Sequence, residues 1–157
     1  MLKELDKLVA SELEILVKAP LLVCILIAGA DNEIDSKEIK GAIELAKKGM
    51  GKTKAKDNLA QFYEMVSEDF EDKLKIILQS FPNESTERNP LVLDELSRLN
   101  KILPKIDKSF SVKFYNSLLY IAKKIAQTSG GVLGMKKVGD EEIKFLNLPM
   151  IRNPSTL

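Results

Sequence analysis

The chain has 157 residues, 45% of them hydrophobic and 30% charged, with a formal net charge of +1. These are globular values that exclude an intrinsically disordered chain, and folding at this length removes roughly 68–70% of the chain's surface from water, enough for a core without staples. With no histidine and a single cysteine, Cys24, the chain cannot by itself build a tetrahedral zinc site, a Ser-His-Asp triad, a Cys-His dyad or an internal disulfide, so any metal must be held by oxygen, which suits calcium, magnesium or manganese.

Apolar residues recur at three- and four-residue spacing almost throughout, and no stretch alternates with period two. The expected fold is therefore all-α, a single-domain helical bundle of about seven helices over residues 1–147 with an extended tail over 148–157. Leu2, Leu5, Leu8, Val9, Leu13 and Leu16 form a first stripe, and Pro20 fits the first turn of a second helix that runs to Ala30. The apolar run from Ile15 to Ala30 contains Lys18 and Pro20 and falls short of the ~20 residues of a bilayer span, so it reads as a buried helix that also hides Cys24. Acids follow the first methionine at once, with no basic region and apolar core behind it; no signal peptide is expected, and the cytoplasm is the expected compartment.

Asp35 opens a third helix to Lys48, with Glu38 at capping-box spacing and Gly49 and Gly51 as stops. Asp57 caps a segment in which Leu59, Phe62, Tyr63, Val66, Phe70, Leu74, Ile77, Leu78 and Phe81 share a face, with a break between Ser67 and Asp69. Asn89-Pro90 reads as a cap and first helical residue ahead of Leu93, Leu96, Leu99 and Leu103, and Pro104 ends that helix. Asp107 or Ser109 starts the helix carrying Phe110, Phe114, Leu118, Ile121, Ile125 and Ala126. A glycine-bearing loop from Gln127 to Lys137 follows, then a short helix with Asp140, Glu141 and Glu142 in its first turn, where the macrodipole favours acids. The tail, with Pro149 and Pro154, is expected to be extended and partly frayed.

The segments Leu22 to Ala30 and Leu118 to Ala126 are both apolar helices ending in alanine, each followed by a loop and a short acid-started helix. They read as two helix-loop-helix units related by a degenerate internal repeat. The first unit continues as Ile27-Ala28-Gly29-Ala30-Asp31-Asn32-Glu33-Ile34-Asp35-Ser36-Lys37-Glu38. This resembles the tellurite-resistance TerB-like family, in which an apolar helix runs into Ala-Asp-Gly-x-Ile-x-x-x-Glu, often twice in one helical bundle. Asn32 stands where the family has glycine, and asparagine tolerates the left-handed conformation. In the second unit Gln127 takes the aspartate position and the loop is longer. The resemblance spans the framework from Leu21 to Leu146 and implies a helical fold and a stress-associated context, without a known catalytic activity.

Asp31, Glu33, Asp35 and Glu38 are spaced so that alternate carboxylates of a loop converge on a hard cation. An EF-hand is rejected, because Ser36 and Ala42 occupy the positions that need glycine and glutamate. The competing account is that Asp35 and Glu38 form a capping box while Asp31 and Glu33 are solvated. Gly130, Gly131 and Gly134 before Lys136 and Lys137 lack Walker spacing and a preceding strand, so nucleotide hydrolysis is not expected.

Charge is uneven: acids dominate from Asp57 to Glu95, whereas Asp107 is the only acid between Arg98 and Lys137. Lys105, Lys108, Lys113, Lys123, Lys124, Lys136 and Lys137 make a candidate basic surface for an acidic protein or an anionic membrane. Scarce arginine and few exposed aromatics disfavour nucleic acid, and faces of opposite sign permit an oligomer. Three functional expectations result. The first is a non-enzymatic TerB-like module acting through protein or membrane contacts, with a weak calcium, magnesium or manganese site in the acidic loop. The second is a metal-dependent enzyme using the same carboxylates, and the third is a structural bundle whose acids only cap helices.

Overall fold

The computed structural model describes residues 3–28, 36–47, 58–127 and 145–156. The fold is all-α. Its helices are α1 (Ala10–Ala28), α2 (Ser36–Lys47), α3 (Asn58–Ser67), α4 (Phe70–Gln79), α5 (Ser85–Ser97), the single turn α6 (Leu99–Ile102) and α7 (Lys108–Ile125), and there is no strand among the described residues. Short 3-10 turns cover Lys3–Leu5, Leu103–Lys105 and Pro154–Thr156.

The centre of the bundle is the second half of α1. Every residue from Leu21 to Ala28 is apolar and at most 2% exposed, as a helix that is apolar all round must be. It packs against α7, α5 and α3. Among the described residues the first stripe is not one helix: a 3-10 turn holds Lys3–Leu5, and α1 starts at Ala10, where the Glu12 carboxylate accepts a hydrogen bond from the Val9 N–H at 3.1 Å. That is the glutamate half of a capping box. The helix then passes through Pro20 without stopping, so the expected boundary there is corrected. Proline forfeits one backbone bond and crowds the preceding turn, at about 3 kcal/mol. The fully buried side chains on both sides of it, from Leu16 to Ala28, offset this at about 1.5–3 kcal/mol for each large apolar one.

α7 obeys its pattern closely. The Asp107 carboxylate accepts from the Phe110 N–H at 3.1 Å and caps the helix. Phe110 and Phe114 stand one turn apart and meet Phe62 of α3 edge to face, at centroid separations of 6.0 and 5.3 Å. Beside them the buried Tyr63 hydroxyl lies 2.6 Å from the Ser117 hydroxyl, which in turn bonds to the Phe114 carbonyl. With Ser117 donating to that carbonyl, Tyr63 is the donor to Ser117, and no polar atom of the pair is stranded. Burial pushes the Tyr63 phenol well above its ordinary range, and does the same to the Cys24 thiol.

α3 and α4 are separated at Glu68 and Asp69, where the sequence pattern breaks. Asp69 is left-handed, at φ 50° and ψ 38°, a conformation aspartate tolerates better than most residues. α5 begins at Ser85 and not at Pro90, because the Arg88 N–H reaches the Glu84 carbonyl at 2.8 Å and the Arg88 guanidinium bonds to the Asn83 carbonyl at 3.1 Å. Pro90 therefore lies inside the helix.

The tail is not extended. Leu148, Ile151 and Pro154 are buried, and the Asn100 side chain clamps the segment, donating to the Met150 carbonyl at 2.9 Å and accepting from the Arg152 N–H at 2.7 Å. Three buried apolar residues at three-residue spacing dock it together with that clamp. The expected short helix around Asp140, Glu141 and Glu142 and the caps Asp35 and Asp57 lie outside the described residues.

Candidate functional site

α4 packs against α2, and between it and the first half of α1 it leaves a groove. Ala10, Leu13, Val17 and Leu21 line one wall and Lys73, Ile76 and Ile77 the other, with Glu14 and Lys18 on the rim, enclosing about 420 Å³. On α1 the apolar members follow at intervals of three, four and four, which keeps them on one face. On α4 the wall is formed by Ile76, which is 63% exposed and stands about 100° around the helix from the buried Ile77.

Four charged side chains shape the electrostatics. Lys18 lies between two carboxylates, 3.7 Å from Glu14 and 3.8 Å from Glu95 of α5. Lys73 donates to the Met65 carbonyl at 2.6 Å, near the C-terminal end of α3, where a cation is favoured by the exposed carbonyls. Among the described residues Lys73 has no carboxylate within ion-pair distance. An ammonium carries three donors, so this one remains able to bind a further acceptor.

Of the acidic-loop residues, Asp31, Glu33 and Asp35 lie outside the described residues. Glu38 is half-buried in the first turn of α2. No group of three or more metal-ligating side chains occurs among the described residues. Among the described residues the lysines of the candidate basic surface do not converge. Lys105 bonds to Glu12, holding that carboxyl below its ordinary range, with the Val9 N–H contributing. Together with Lys3, Lys7 and Asp107 it borders a polar hollow of about 400 Å³. Lys108, Lys113 and Lys123 are exposed along α7, whereas Lys124 lies 5.6 Å from the centre of the Tyr120 ring. These α7 positions spread over roughly 160° of the helix surface. Lys136 and Lys137 lie outside the described residues. The longest apolar helix does not qualify as a membrane span: among the described residues none is long and apolar enough to cross a bilayer.

The groove was not foreseen from the sequence. The apolar periodicity places Leu13 on the first stripe and marks neither Lys73 nor Ile76 as part of a site. The one local signal was Ile76 itself, an isoleucine on the polar side of α4 beside Asp72, Lys75 and Gln79. Comparison with protein-family models, with curated proteins and with solved structures gave no match.

Proposed function

We propose that this chain is a TerB-like helical module that works by binding and not by catalysis, in a stress-associated context, and that its working surface is the α1–α4 groove. The observation that carries the reading is the groove's lining: six apolar side chains around about 420 Å³, with Glu14, Lys18 and Lys73 as its charged members. Sites for small apolar partners have this size and this mixture of many apolar walls and few polar groups. The family part of the proposal draws support from the order of elements, since the motif residues 31–35 fall in the interval between the end of α1 and the start of α2.

A neutral solvatochromic dye such as Nile red tests the groove. One saturable site is expected in the unaltered protein, lost in Val17→Asp and kept in Leu45→Asp, which alters an exposed leucine of α2 that does not line the groove. Unchanged dye binding in a folded Val17→Asp variant would refute the reading.

A further inference from the structure

The groove has one property that a merely unfilled gap between helices would lack. Its two ammonium groups are treated differently by the fold. Lys18 is answered by Glu14 and Glu95, whereas Lys73 has a neutral carbonyl as its partner at 2.6 Å and no ion-pair partner among the described residues. A positive charge therefore stands at one edge of an apolar trough, in surroundings less screening than water, where an anion is held more strongly than at an open surface. The polar hollow at Lys3, Lys7 and Lys105 offers no such contrast, because Asp107 lines it as well and Lys105 is already bound to Glu12.

We infer that the α1–α4 groove binds a free, single-chain aliphatic carboxylate, with its chain along Leu13, Val17 and Ile76 and its head on the Lys73 ammonium. The inference deepens the proposed function and rests on that reading of the groove. Several features select this occupant. The walls are aliphatic and contain no aromatic ring, which fits a flexible hydrocarbon chain. A volume of about 420 Å³ lies toward the lower end of small-molecule sites and suits one chain better than the paired chains of a phospholipid. An α-helix, roughly 10–12 Å across with its side chains, would ride on the rim. One ammonium without an ion-pair partner among the described residues matches one negative charge, and the Glu14 carboxylate on the rim disfavours a head carrying more.

Calorimetric titration of the full chain with decanoate and with decan-1-ol, both below aggregation, tests this alongside sedimentation of the unliganded protein. Expected are one-to-one binding of decanoate, at least about tenfold tighter than the alcohol as one hydrogen bond to a charged group implies, and a protein that sediments as a monomer. Lys73→Met should bind both compounds equally, with alcohol binding and Nile red binding unchanged, showing that the groove itself is intact. Equal affinities in the unaltered protein would overturn the carboxylate assignment, as would Nile red binding without decanoate binding, and either result leaves the groove reading standing. Loss of all three ligands would end both. A dimer abolished by Val17→Asp and indifferent to decanoate would make a second copy of the chain the occupant and overturn the assignment.

Discussion

The two halves of α1 are built from the same helix and serve opposite ends. From Leu21 to Ala28 every side chain is apolar and enclosed by α3, α5 and α7. From Ala10 to Lys18 the helix alternates acids, a lysine and apolar residues, and Leu13 and Val17 are half-buried against a groove. Apart from Leu21, which also closes the inner end of the groove, the enclosed half is a core element with nothing left to offer a partner. The open half keeps aliphatic surface in reach of solvent, which folding alone does not reward. A division within one continuous helix separates what holds the fold from what is available for binding.

The largest effect is expected in the enclosed half. Ile25→Ala removes a fully buried side chain and should cost about 2–5 kcal/mol, read as a lower urea midpoint. A cost below about 1 kcal/mol would show that this half is loosely packed and would break the contrast. Next comes Ser117→Ala, which deprives the buried Tyr63 hydroxyl of its acceptor and should cost about 1–3 kcal/mol, more than Tyr63→Phe, where Ser117 keeps the Phe114 carbonyl. The reverse order would contradict the donor assignment.

In the open half, Leu13→Ala should cost less than about 1 kcal/mol while weakening groove ligands, so stability and binding should part company there. Thermal melts and dye titration on the same samples check both. The smallest effect belongs to Glu12 at the start of α1. Lys105 and then the Val9 N–H hold its carboxyl below its ordinary value, so its contribution is present above about pH 4.3, the unfolded-chain value, and fades as pH falls through the lower folded value. Glu12→Gln should therefore be slightly less stable than the parent at pH 7 and converge with it in acid. A gap that widens on acidification would reverse the sign.

The enclosed half was legible in the sequence because its signal is local: the apolar run from Ile15 to Ala30 is too long for an ordinary strand and too short for a bilayer span, which leaves a buried helix. The same holds for α7, whose stripe and Asp107 cap are both written within it, and for the break at Asp69. Pro20 and Pro90 mislead because each fits a helix start by its local sequence, whereas packing on both sides carries the helix through the ring. The tail misled for the same reason, since its docking depends on Asn100, which lies far away in the chain. The groove was illegible because it belongs to neither α1 nor α4 alone but to the gap left when α4 leans on α2; only Ile76 marked it locally. The acidic loop, the most conspicuous motif in the sequence, has Glu38 as its single described carboxylate.

The most direct measurement is methyl-resolved NMR of the full chain titrated with decanoate. Shift changes and intermolecular contacts are expected at Leu13, Val17, Leu21, Ile76 and Ile77, with the enclosed Ile25, Leu26 and Ile27 unperturbed. Saturable contacts at other methyl groups, with the five groove residues silent, would contradict the assignment of the open half of α1 as the binding surface.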